Sequence, residues 1–196
     1  MSSFAKKMAR KAKKARREGV EKGQRVAAKA SRDVKHSYLL QNCRETLTRR
    51  EALRNLSAVF LYAMHRDAGF GARGGHKSRL YRLRDKMQSV FDCIVSKKVT
   101  IHEISDYLRN DIELDVDIIT CDPRANWLRK IEHKAVQELE AAFLMALIDE
   151  FGYKKKRLED AYIYCAKLST ELKEGKLTYQ YIRHEIEKIM TIKKAA

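Results

Sequence analysis

Apolar positions recur at helical spacing along most of the chain, and they fall into two sets of three segments. In the first set Ala52, Leu56, Phe60, Ala63 and Met64 share one face. Thr48-Arg-Arg-Glu51 stands ahead of them in the form of a capping box, with the threonine hydroxyl accepting from the Glu51 amide and the Glu51 carboxylate reaching back. The pattern predicts a helix from there to about Ala68, stopped by Gly69 in the left-handed conformation, which costs other residues about 1 kcal/mol. Gly71–Ser78 reads as a loop, and Ser78 caps a second helix through Leu80, Leu83, Met87, Val90, Phe91 and Ile94. Thr100-Ile-His-Glu103 repeats the capping-box pattern and opens a short third helix through Ile104, Tyr107 and Leu108.

The second set begins at Asp122-Pro123, a cap followed by a proline that suits a first turn. Trp127, Ile131, Ala135, Leu139, Ala142, Phe143 and Ala146 make a long apolar seam that ends at Gly152. Leu158, Ala161, Tyr162, Cys165, Leu168 and Leu172 follow on the next helix, which Gly175 stops. Thr178 caps a last helix through Ile182, Ile186 and Ile189. Between the sets, Asp111-Ile-Glu-Leu-Asp-Val-Asp-Ile118 alternates acid with aliphatic at a strand period. With no partner strand it is expected to be an extended linker, or else a helical continuation. Its carboxylates at Asp111, Glu113, Asp115 and Asp117 fit a solvated edge better than a metal site.

The two sets correspond. With Gly152 placed over Gly69, an offset of 83, Ala52/Ala135, Leu56/Leu139, Ala58/Ala141, Phe60/Phe143, Leu61/Leu144 and Ala63/Ala146 are identical. Beyond the glycine the offset is 78, which leaves five extra loop residues in the first set. Arg79/Arg157, Leu80/Leu158, Lys98/Lys176, Thr100/Thr178 and Ile104/Ile182 then match. A shared glycine stop, a shared threonine start and equal spacing predict tandem duplicated three-helix units. Neither unit has many residues with which to bury a core alone. The expected fold is therefore all-α, a pseudo-symmetric helical bundle packed through the Phe60 and Phe143 helices and preceded by a basic N-terminal arm. The boundaries read as 1–36 for the arm, flexible or helical, 45–110 for the first repeat, 111–122 for the acidic linker and 123–192 for the second repeat.

Charge sharpens this picture. Lys and Arg number 42 against 26 Asp and Glu, a formal charge of +16, and a single proline and eight glycines suit a mostly helical chain. Residues 1–36 carry thirteen Lys/Arg against three acids, or +10 of the total. This alanine-rich segment has high helix propensity but no adequate apolar stripe, so alone it is expected to be frayed or disordered and to become helical on a charged partner. Such a balance points to a polyanion, DNA or RNA. A solvated extension and a membrane-surface helix are the alternatives, the latter lacking the expected Leu/Trp/Phe face. No apolar run reaches the ~18 residues of a membrane span, and no signal peptide is apparent. Cys43, Cys93, Cys121 and Cys165 lie far apart without a Cys-x-x-Cys pair, as expected of reduced, mostly buried thiols.

The stretch Leu147-Ile-Asp-Glu-Phe-Gly-Tyr-Lys-Lys-Lys-Arg-Leu158 resembles a motif of small uncharacterised helical proteins from phages and prophages of Gram-positive bacteria. The likeness covers about 141–190 and more loosely 58–108. The family pattern has Gly-Phe-Gly before the basic residues; Gly69-Phe70-Gly71 matches it, whereas Gly152-Tyr153-Lys154 departs from it. The resemblance implies a mobile-element origin and a place in the cytoplasm of a bacterial host cell. It carries no catalytic residue.

The candidate functional residues are cations. In the arm they are Lys6, Lys7, Arg10, Lys11, Lys13, Lys14, Arg16 and Arg17; in the turn of the first repeat Arg73, Lys77 and Arg79; in that of the second Lys154, Lys155, Lys156 and Arg157. One reading is that these turns satisfy a helix C-terminus through its dipole. The other is that they contact phosphates at two related points, as the recognition elements of a dimer do. Gly69–Ser78 fails as a P-loop, because Gly75-His76-Lys77-Ser78 interrupts the required Gly-Lys-Ser and no strand precedes it. The six histidines show no metal-ligand spacing. Asp149 and Glu150, adjacent on a helix, diverge by about 100° and cannot flank one reacting bond. The expectation is a noncatalytic nucleic-acid-binding protein without metal or cofactor. The alternative is a helical inhibitor or adaptor acting on a host protein.

Overall fold

The computed structural model describes residues 3–71, 78–114 and 126–191, with side chains from residue 20 onward except at 21, 27 and 28. Six helices make up the described chain: α1 (Ser3–Arg66), α2 (Arg79–Val95), α3 (Ile101–Asn110), α4 (Trp127–Phe151), α5 (Lys155–Lys173) and α6 (Tyr179–Thr191). No strand occurs among the described residues, and none of the helices is long and apolar enough to cross a membrane. The fold is all-α, as the periodicity predicts.

Helix α1 corrects one expectation. It starts at Ser3 and runs without a break to Arg66, so Thr48 and Glu51 lie inside a helix and their capping-box pattern starts nothing. The backbone of the segment 1–36 is helical from Ser3 onward. One cause accounts for both. Starting a helix is the costly step, and a helix already running adds residues cheaply where alanine is frequent and proline absent.

The chain divides into two compact units, Met1–Thr46 and Leu47–Ala196. In the first, every described side chain from Val20 to Gln41 is exposed, including Val34, Tyr38 and Leu39. The second holds the core. There Phe60 of α1 stacks on Phe143 of α4, with centroids 4.4 Å apart and planes 10° from parallel. Around the pair lie Val59, Leu61, Met64, Leu80, Leu83, Leu144, Leu147, Leu158, Leu168 and Ile182, all 3% exposed or less. Trp127, placed in the apolar seam by spacing, is 40% exposed and stands outside this core.

Helix α4 packs against α2 and α3. Ion pairs join Arg82 and Lys86 of α2 to Glu150 and Asp149 of α4, at 2.6 and 3.3 Å. Arg66 of α1 donates to Glu171 of α5 at 2.8 Å, and Arg54 of α1 to Glu187 of α6 at 3.1 Å. One ion pair was not anticipated: Glu138, 5% exposed, accepts from Arg49 at 2.6 Å, which supplies the partner that a buried carboxylate requires.

The helix ends follow the chemistry of their caps. Gly69 and Gly152 both take φ near +65°, at 66° and 63°. The next amides close the turns, Phe70 to the Met64 carbonyl at 2.9 Å and Tyr153 to the Leu147 carbonyl at 3.2 Å. Thr100 forms the full capping box with Glu103, and Thr178 accepts from the Tyr181 amide at 3.2 Å. Ser78 caps α2, as expected. The expected start at Asp122-Pro123 lies outside the described residues; α4 begins at Trp127, where Asn126 accepts from the Arg129 amide at 2.9 Å. The first residues of the acidic stretch form a turn in which Leu114, buried, donates to the Leu108 carbonyl at 2.9 Å, and Asp115 onward lies outside the described residues. Of the cysteines, Cys43 is exposed, Cys93 half-buried and Cys165 buried, while Cys121 falls outside the description.

Open space surrounds the position where a side chain at Gly152 would begin, so a substitution there costs backbone strain alone. Gly152→Val is expected to destabilise the fold by about 1–3 kcal/mol, and Gly152→Asn by less, because asparagine tolerates the left-handed region. Urea midpoints of the two variants check this order. Equal costs would mean that something other than φ decides the site.

Candidate nucleic-acid interface

The candidate cations divide by what surrounds them. Side chains of Lys6, Lys7, Arg10, Lys11, Lys13, Lys14, Arg16 and Arg17 lie outside the described residues, their backbone belonging to α1; Arg73 and Lys77 lie outside them altogether. Arg79, Lys154, Lys155, Lys156 and Arg157 are described, and all five are exposed.

These five sit at helix beginnings. Arg79 is the first residue of α2, while Lys155, Lys156 and Arg157 form the first turn of α5 behind its N-cap, Lys154. Neither first turn contains an acid. Arg79 at the same time donates from Nη2 to the Gly69 carbonyl at the stop of α1, 3.5 Å away, so the turn of the first repeat faces a helix end as well as a helix beginning. A cation at a helix C-terminus is favourable, but a cation at an N-terminus opposes the partial positive charge there and costs about 0.3–1 kcal/mol. The cap of α5 adds to the imbalance, because the Lys154 side chain makes no capping hydrogen bond. The amides that open a helix have no intrahelical acceptor, so the start of α5 presents backbone donors beside exposed lysines. Such a combination favours an anion.

An aromatic cluster holds the two turns together. Phe70, which follows the α1 stop, and Tyr153, which follows the α4 stop, meet edge to face at 6.4 Å. Phe151 packs 4.9 Å from Phe70 and 6.3 Å from Tyr153. Arginines lie over these rings: Arg79 over Phe70 at 5.1 Å, Arg157 over Tyr153 at 5.6 Å and Arg82 over Phe151 at 5.3 Å. Arg82 is already neutralised by Glu150. Among the described residues Arg79 and Lys154–Arg157 have no carboxylate partner. Burial pushes the Tyr153 hydroxyl up, against the opposing pull of Arg157 and Arg79, so the ring stays neutral between the two guanidinium groups. Beyond the bond from Arg79 Nη2 to the Gly69 carbonyl, a guanidinium over a ring keeps further N–H donors with which to meet a phosphate.

The sequence pattern identified the basic turns but not this junction. Nothing in the spacing indicated that Phe70 and Tyr153 would meet, since the contact is set by how α1 and α4 pack. The adjacent acids Asp149 and Glu150 are paired with Lys86 and Arg82. His65 has its Nδ1 2.9 Å from the Phe70 carbonyl, which ties the first turn down. Among the described residues no group of three or more His, Cys, Asp or Glu side chains is placed to hold a metal ion. The chain matches no family model, no curated protein and no solved structure.

Proposed function

We propose that this is a noncatalytic nucleic-acid-binding protein of phage or mobile-element origin, built from two duplicated three-helix units. It contacts DNA or RNA phosphates through the basic segment 1–36 and the two basic turns, and acts in the cytoplasm of a bacterial host cell. The observation that carries the reading is the unneutralised charge at the starts of α2 and α5, gathered around one aromatic cluster. Cations at helix N-termini weaken the free fold, and a phosphate there turns that cost into binding. The mobile-element origin rests on the Asp149-Glu-Phe-Gly152 motif and its flanks.

Matched local geometry supports the duplication. Left-handed residues stand at Gly69 and Gly152, and again at Lys97 and Gly175, the latter pair 78 apart. The turn after α2, with the Lys98 amide on the Cys93 carbonyl, has its counterpart after α5 in Lys176 and Glu171, both bonds 2.9 Å long. The pairing of Arg79 with Phe70 has its counterpart in Arg157 with Tyr153. Helices α2 and α3 pack on α4, and α5 and α6 are each joined to α1 by an ion pair.

The test is binding to labelled duplex DNA and RNA over a salt series. Replacing Lys154, Lys155 and Lys156 together by glutamate is expected to leave the helical content unchanged and to lower affinity at least about tenfold. The slope of log affinity against log salt should flatten by about 0.9 for each lost phosphate contact. Deleting residues 1–36 should flatten it further. Unchanged affinity after charge reversal overturns the role of the turn, and an unchanged slope after deletion overturns that of the arm. Absence of nucleic-acid binding at physiological salt, with nuclease-resistant capture of a host protein, would favour the inhibitor or adaptor reading instead.

A further inference from the structure

Between α1, α4 and α5 lies a pocket of about 370 Å³. Phe60, Phe143 and Leu144, all buried, supply apolar wall. Glu140 lines it too, although only 6% of that residue is exposed, and no protein donor reaches its Oε2. At the rim stand Ser169 and Thr170, whose hydroxyls donate to the carbonyls of Cys165 and Ala166 at 3.0 and 3.1 Å. Their protons are used, so their oxygens face the pocket as acceptors only. A largely apolar cavity of this size, holding a buried carboxylate oxygen that no protein donor meets, is a site for a ligand that donates.

The corresponding position in the first set of helices is built differently. A groove of about 240 Å³ lies there between α1, α2 and α4, lined among others by Ser57 and Phe91. At the offsets of 83 and 78, Ser57 corresponds to Glu140 and Phe91 to Ser169. A large ring thus stands where the pocket has a serine, and a small hydroxyl where the pocket has a carboxyl. The exchange of ring for serine opens space beside α5, and the exchange of serine for glutamate puts an acid into it. A buried carboxylate without a donor is costly to a fold, and a cation brought to it offsets that cost.

We propose that this pocket binds a small apolar amine, its ammonium group donating to Glu140 and its hydrocarbon part lying against Phe60, Phe143 and Leu144. The charged and titratable groups around Glu140 do not supply that ammonium themselves. From α5, Lys173 lines the rim but is exposed, and it makes no ion pair with Glu140. Cys165 is pushed up to about 12 by burial, with the charges of Glu140 and Asp67 adding, and so stays a neutral thiol. Tyr162 lies at the rim, and α1 contributes only Leu56 and Phe60. Burial raises the Glu140 carboxyl to about 7, so the ammonium partner is best held above neutrality.

The probe is 2-phenylethylamine, compared with neutral 2-phenylethanol, added to the full-length protein and followed by titration calorimetry at pH 8 and pH 5.5. The amine is expected to bind at least tenfold more tightly than the alcohol at pH 8, and this preference should shrink at pH 5.5 as Glu140 takes up a proton. Glu140→Gln should abolish the preference while the protein stays folded. Ser169→Phe, which restores the ring of the first set, should block both ligands. Equal binding of amine and alcohol, a preference that survives Glu140→Gln, or no binding of either probe would each overturn the proposal.

Discussion

Phe143→Ala is expected to destabilise the protein by about 4 kcal/mol, the middle of the range for emptying an aromatic site in a closed core. The residue is 2% exposed, and its ring lies flat on Phe60 at 4.4 Å. Relaxation into the space is limited, because Ala142 and Ala146 are fully buried beside it and carry no long side chain that could swing in. Phe60→Ala should cost a similar amount. The double variant should cost less than the sum of the two by about 1 kcal/mol, since the stacked pair is lost only once. Urea unfolding of the four proteins measures this directly. Full additivity would show that the rings act as separate fillers rather than as the contact that joins α1 to α4.

A second large effect belongs to Glu140, and it depends on pH. Burial raises its carboxyl from an ordinary 4.5 to about 7. Between those values the unfolded chain has released the proton and the folded chain keeps it. The folded state binds more protons, so the contribution of this group to stability falls as pH rises through that window and levels off above it. A shift of this size corresponds to about 3 kcal/mol. Glu140→Gln should therefore be more stable than the parent at pH 8, by about 2–3 kcal/mol, with the difference vanishing near pH 4.5. Denaturation midpoints at pH 4.5, 6, 7 and 8 test this. A difference that does not change with pH would mean that the carboxyl is solvated in the folded protein.

Much of the fold was legible because its signals are local. A glycine after an apolar run, a threonine three residues before a glutamate and a serine before Arg79 each dictate backbone geometry through near neighbours, and each does so here. The capping-box pattern at Thr48–Glu51 misled for a related reason. It reports that a start is possible, and α1 was already running when it reached Thr48. Glu138 and Glu140 were illegible for a different one. In the sequence Gln-Glu-Leu-Glu-Ala-Ala they resemble a solvated face, because the Arg49 that neutralises one and the cavity that isolates the other come from distant positions. The cations of the basic turns were found by composition and spacing. Their place at helix beginnings, and the aromatic cluster that gathers Arg79 and Arg157, required the packing of α1 on α4.

Helix α4 is buried without interruption from Glu138 to Leu144, close to two full turns with no outward face. A surface helix accepts change at most of its positions and guards every third or fourth. Here each successive residue is constrained, the alanines no less than the phenylalanine. Drift along this segment must therefore proceed by paired exchanges with α1, α2 and α5, and its amides can meet solvent only when the whole unit opens.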